Sequence, residues 1–196
     1  MTDPASLKKS LRPDARKRLQ AISTEAQVAA SRRACELFLS QPTYVRAKSI
    51  LLYMPLRDEL DVRLIMQRAI SDHKDVALPR FLPETNAYGA FFVGDEPLVP
   101  GPFNVLEPAM GNPAPVNQLD LIVVPGLGFD ARGRRLGRGK GFYDRLLSAA
   151  NGLKCGICFD EQLLAEIPVE PHDVHLDFVV TPTRWIDCRG STPDVK

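Results

Sequence analysis

The sequence predicts an α/β fold with a central, mostly parallel sheet between helices. Three observations carry that expectation. Apolar runs of about four to six residues alternate with helical stretches along the chain. The runs are nearly continuous rather than alternating, as in strands buried on both faces. The chain has 196 residues, 44% of them hydrophobic, enough to close one core. A single domain over 1–186 and a polar tail over 187–196 are expected.

The elements follow in order. From Ser6 to Leu19 the chain is rich in Leu, Ala, Lys and Arg, all good helix formers. Ser23 suits the N-cap of a second helix, which carries Val28, Cys35, Leu37 and Phe38 and stops near Gln41-Pro42. Ser49–Tyr53 reads as a buried strand closed by Pro55. Asp61–Ser71 is amphipathic through Val62, Leu64, Ile65, Ala69 and Ile70, hence helical. Asp75–Leu78 reads as a strand ended by Pro79. From Phe81 to Gln118 Pro and Gly are frequent, so the stretch reads mostly as loop, with one strand over Ala90–Val93. Leu119–Val124 is the clearest strand. A helix is expected over Lys140–Ala150, a strand over Lys154–Phe159, a short helix near Gln162–Glu166 and a last strand over Leu176–Val180.

Composition excludes several classes. Twenty-five basic residues oppose 24 acidic ones, a net charge of +1, which is not the balance of a polybasic nucleic-acid binder. No run reaches membrane-helix length, and the charged N-terminus lacks an apolar core behind it. Four irregularly spaced cysteines read as reduced thiols. A cytoplasmic protein is expected.

One stretch stands apart from this balance. Between Asp130 and Arg145 lie six cations (Arg132, Arg134, Arg135, Arg138, Lys140, Arg145) and two acids (Asp130, Asp144), a net of +4. Gly137, Gly139 and Gly141 alternate with Arg138 and Lys140. A Walker A loop needs Ser or Thr after Gly-Lys, and here Gly141 follows Lys140. A dinucleotide fingerprint fits the letters of Gly126–Ala131, but Gly133 stands where its helix should run. A loop of this kind can nonetheless turn backbone N–H groups toward a ligand and let it approach closely. The following helix adds its positive end, and Arg135, Arg138 and Lys140 add full charges. A polyphosphate site is expected, in preference to a solvated basic turn. Asp144, one turn into the helix, is placed to hold Mg²⁺ against phosphate oxygens.

These residues resemble a known family. The run from Pro125 to Asp144, PGLGFDARGRRLGRGKGFYD, resembles the signature of the 5-formyltetrahydrofolate cyclo-ligases. Other pieces follow in the family's order: Lys8-Lys9-Ser-Leu-Arg12, Asp58-Glu59, Leu78-Pro-Arg80, Glu107-Pro108, and Asp173 ahead of Thr181-Pro182. Phe142 departs from the tyrosine frequent in the family. The resemblance implies a Rossmann-like three-layer sandwich. It also implies closure of 5-formyltetrahydrofolate to 5,10-methenyltetrahydrofolate, with ATP as co-substrate and Mg²⁺ as cofactor.

Site residues follow from the same resemblance. ATP is expected on Lys8, Lys9, Arg12, Arg135, Leu136, Gly137, Arg138, Gly139, Lys140, Gly141, Phe142 and Tyr143. The folate is expected on Met54, Glu59 and the stretch Arg138–Phe142. Lys140, Arg138 and Tyr143 are the expected catalytic residues, and Asp144 with Asp173 the expected metal acids. Small-molecule substrates acting on a monomer are expected, with no nucleic-acid or membrane partner. A non-catalytic nucleotide- or RNA-binding module is the alternative, and the low aromatic content, 7%, speaks against a broad stacking surface.

Each assignment has a plainer rival. Lys8 and Arg12 lie one turn apart and could form a solvated helix face. Glu59 could be a helix N-terminal acid, and Met54 core filling. His172 and His175 lack helical zinc-pair spacing and read as solvated loop residues. Cys155 and Cys158 fall within a strand on opposite faces, which is not the setting of a redox pair.

Overall fold

The computed structural model describes residues 3–109 and 111–190. Its centre is a seven-stranded sheet in the order β11-β10-β9-β6-β1-β2-β3. The inner strands are β1 (Ser49–Leu51), β2 (Asp75–Leu82), β6 (Leu121–Val124), β9 (Leu153–Ile157) and β10 (Phe178–Val180), all parallel to their inner neighbours. The edges, β3 (Ala87–Phe92) and β11 (Trp185–Asp187), run antiparallel.

Both faces are covered, which is why the strands read as continuous apolar runs. Ile50, Leu121, Val123, Cys155, Ile157, Phe178 and Val180 pack on one face. There they meet α1 (Pro4–Gln20), α2 (Thr24–Leu39), α3 (Pro42–Arg46) and α4 (Arg63–Ser71) through Leu19, Phe38, Tyr44 and Ile65. Leu51, Ile122, Val124 and Val179 turn to the other face and meet Leu146 and Leu147 of α5 (Phe142–Ser148). These are the three layers of the expected sandwich. The expected N-cap also holds, since Ser23 Oγ accepts the Ala26 N–H at 3.2 Å.

Several elements differ from the sequence reading. β2 runs through Pro79 to Leu82 and turns into an antiparallel hairpin with β3, which contains most of the strand expected over Ala90–Val93 and extends it back to Ala87, where a loop is expected. The reason lies in which side carries the hydrogen bonds. Ala77 gives its carbonyl to Leu52 on the β1 side, so alternation turns the Pro79 nitrogen to that same side. The pairing with β1 ends at Ala77, so the missing N–H breaks no ladder bond. Two short antiparallel pairs are also absent from the sequence reading: β4 (Val99–Pro100) with β5 (Leu106–Glu107), and β7 (Gly128–Phe129) with β8 (Arg135–Leu136).

The second of these pairs explains the false fingerprint. Gly126–Ala131 leads into a hairpin whose turn holds Gly133 at φ 78°, and a Cβ there would lie 2.3 Å from the Leu176 carbonyl. The helix expected near Gln162–Glu166 is only a 3₁₀ turn over Asp160–Gln162. Beyond it Leu164 donates to the Phe129 carbonyl at 2.7 Å, and the chain runs extended beside β7. The start of the expected tail stays in the sheet, with Asp187 paired to Phe178. Residues 191–196 of that tail lie outside the described residues.

Candidate active site

The strand order reverses between β1 and β6. β2 lies on one side of β1 and β6 on the other, so the connections diverge and leave a crevice at their carboxyl ends. A cavity of about 730 Å³ occupies it. Tyr53 and Met54 enter from the end of β1, Pro125 and Gly126 from the end of β6, and Pro79 and Tyr88 from the β2–β3 hairpin.

The glycine-rich loop forms one wall. It joins β8 to α5, and Gly139 and Gly141 hold φ of 95° and 65°, in the left-handed region. Among the described residues, no backbone N–H from Arg138 to Gly141 reaches an acceptor. Such a run of open donors suits an anion. α5 begins at Phe142, two residues later than expected, because the left-handed Gly141 is its N-cap. α1 lies across the loop: Arg12 Nε donates to the Gly137 carbonyl at 3.0 Å, and its guanidinium packs on Gly139.

Acids and cations of the site are paired. Arg138 donates to Glu59 at 3.1 Å and to Asp58 at 2.6 Å. Arg135 meets Asp144 at 2.5 Å and lies over the Tyr143 ring. Lys8, whose side chain is 5% exposed, sits between Glu170, at 3.1 Å, and Asp173. Lys140 is exposed and has no ion pair among the described residues. Burial pushes the Glu59 carboxyl up, while the Leu56 N–H and Arg138 pull it back. Burial likewise raises the Tyr143 hydroxyl well above its ordinary range.

Another part of the lining is aromatic. Tyr88 and Phe142 meet edge-on at 5.3 Å, and Phe81 packs behind both at 5.8 and 5.7 Å. Tyr143 lies 6.3 Å from Tyr88. Phe142 therefore works as a ring packed among rings, for which a hydroxyl is not needed.

The expected residues converge with two exceptions. Lys8, Arg12, Met54, Glu59, Arg135, Gly137, Arg138, Gly139, Lys140, Gly141, Phe142, Tyr143, Asp144 and Asp173 all line the cavity. Leu136 is fully buried in the core, and Lys9 is exposed and does not line the cavity. Lys8 is buried rather than on a solvated face. His172 also stands on the cavity wall, with ligand atoms of Glu170, His172 and Asp173 within 4.8 Å of one another; His175 is not in that group. Cys155 and Cys158 are buried on opposite faces of the sheet, and burial raises both thiols.

Sequence reasoning missed Tyr53, Tyr88, Arg16 and Glu170. Arg16 was within reach, since Lys8, Arg12 and Arg16 recur at one helical face. Tyr88 was not, because it lies in the stretch whose Pro and Gly content reads as loop.

Comparison with known proteins bears on the family and the fold. The model of the 5-formyltetrahydrofolate cyclo-ligase family matches residues 4–182. The 5-formyltetrahydrofolate cyclo-ligase of Mus musculus is 30% identical, over 89% of this chain and 93% of its own. That of Escherichia coli K12 is 31% identical, over 86% and 97%. The solved structure of the Aquifex aeolicus 5,10-methenyltetrahydrofolate synthetase superposes with a TM-score of 0.84 at 31% identity, over 97% of both chains. Match and fold together place this chain in the 5-formyltetrahydrofolate cyclo-ligase family.

Proposed function

We propose that the chain closes 5-formyltetrahydrofolate to 5,10-methenyltetrahydrofolate at the expense of ATP, at the cavity between β1 and β6. The observation that carries the reading is the convergence there of two unlike walls. One holds Lys8, Arg12, Arg135, Arg138 and Lys140 with open amides; the other holds Glu59, Met54, Tyr88 and Phe142. The first suits a triphosphate, the second a flat, N–H-rich ring.

The chemistry needs such a meeting. The formyl oxygen of an amide is a poor leaving group until the γ-phosphoryl group is transferred to it. N10 then attacks the formyl carbon, the carbon–oxygen bond breaks, phosphate departs with that oxygen, and N10 gives up its proton. Catalysis of this kind is mostly positioning and charge neutralisation. Arg12, Arg138, Lys140 and the loop amides hold the triphosphate in line with the formyl oxygen. Glu59 accepts hydrogen bonds from the ring edge, and Tyr143 with Met54 shapes the wall. No covalent enzyme nucleophile is required.

Asp144 and Asp173 both line the cavity and carry the hard oxygens Mg²⁺ takes, each paired here with a cation, Arg135 and Lys8; these are the acids that would hold the ion. Bound there, it would share the triphosphate's charge. We also read the protein as a cytoplasmic monomer acting on small molecules and not on nucleic acid or membranes. No helix among the described residues is long and apolar enough to cross a membrane.

The test is direct. Protein, ATP, Mg²⁺ and 5-formyltetrahydrofolate are mixed, and methenyltetrahydrofolate is followed by its near-ultraviolet absorbance. Product is expected only with all four present and is expected to stop with a chelator. Unchanged turnover in chelator would remove the metal from the reading.

A further inference from the structure

Glu107 is a buried acid that this reading leaves unused. The residue is 3% exposed, at the end of β5, two positions beyond the cavity-lining Val105. Its Oε2 accepts the Phe81 N–H at 3.2 Å. That N–H points to the side of β2 where β1 has already ended, so the ladder offers it no acceptor. Gly101 packs so closely on the carboxyl that a Cβ there would lie 2.2 Å from Cδ. The other oxygen, Oε1, is buried without a partner among the described residues. A carboxyl held this tightly, at a cost in desolvation, calls for a use.

Phe81 supplies the link to the site. Its ring packs edge-on against Tyr88 and Phe142, two rings that line the cavity. The β4–β5 pair is only two residues long on each strand, too short to hold its own place.

We infer that Glu107 is a positioning residue: it ties the end of β2 to the β4–β5 arm and so holds Phe81 behind the rings that take the folate. The assignment rests on the reaction proposed above. It predicts that Glu107 acts on folate affinity and leaves the phosphate wall alone.

The experiment measures the KM for 5-formyltetrahydrofolate and for ATP in the parent and in three variants. Glu107→Gln keeps an oxygen for the Phe81 N–H and is expected within about twofold of the parent in both constants. Glu107→Ala loses the tie and is expected to raise the folate KM about tenfold, with the ATP KM within about twofold. Gly101→Ala, whose new methyl displaces the carboxyl without removing its charge, is expected to raise the folate KM in the same sense. An unchanged folate KM in whichever of the two alanine variants folds overturns the assignment. So does an equal rise of both constants, or failure of both variants to fold while Glu107→Gln folds. A parent protein that makes no product is a different result, and it removes the proposed reaction instead.

Discussion

Arg138 of the glycine loop and Glu59, in the segment after β1, are direct partners, with Nε and Oε1 3.1 Å apart. The residue expected to hold phosphate therefore also holds the acid expected to read the folate. Each wall feels a change in the other.

This coupling sets the first prediction. Glu59→Gln is expected to raise the folate KM about tenfold and, because Arg138 is loosened, the ATP KM about twofold. Combined with Arg138→Ala, the losses are expected to fall short of additive. Steady-state kinetics on the four proteins of the cycle decides it, and strict additivity would show that the pair does not act together. Stability carries a sign of its own. The folded carboxyl titrates above the ordinary glutamate value of 4.5. The contribution is therefore fully present below that value and is lost as pH rises through the folded pKa. The parent is expected to lose stability relative to Glu59→Gln over that climb, measured by denaturant melts at stepped pH.

Lys140 carries the second prediction. Its charge is exposed and has no ion pair among the described residues, so it is available to a phosphate. Lys140→Ala is expected to lower turnover at saturating ATP about a hundredfold. The thermal midpoint is expected to stay within about 1 °C, since an exposed cation adds little to stability. Lys140→Arg is expected to recover part of the rate, because a planar fork does not sit where a compact ammonium did. A normal rate in Lys140→Ala would leave the loop a basic turn.

Lys8 should behave in the opposite way. Its ammonium is buried between Glu170 and Asp173, so removing it leaves two carboxylates facing each other. Lys8→Met is expected to cost about 2 kcal/mol of stability, below the range for fully buried pairs because both acids keep some solvent contact. Adding Asp173→Asn is expected to return part of that loss. Chemical denaturation of the single and double variants measures both, and a Lys8→Met protein as stable as its parent would deny the ion pair any structural role.

The way these residues pair also marks what could be read in advance. The inner strands were legible because burial on both faces leaves a continuous apolar run, a local signal. The loop from Gly137 to Gly141 was legible because glycines and cations are adjacent in the chain. The run of β2 through Pro79 was not, since Pro79 is a strand-breaker unless one knows which side of the strand lacks a neighbour. Nor was the β7–β8 hairpin, whose two-residue strands are too short to show a period.

By itself, then, the sequence determined the sheet's inner strands, the helices α1, α2 and α4, and the residue types gathered around the glycine loop. Those follow from periodicity, capping and composition, which are properties of near neighbours in the chain. Only the tertiary structure decided that Arg138 meets Glu59, that Lys8 meets Asp173 and Glu170, and that Leu136 turns into the core while Tyr88 joins the cavity. Partners such as Lys8 and Asp173 are 165 positions apart. Their meeting is set by the order of strands and the crevice between β1 and β6, which no local pattern encodes.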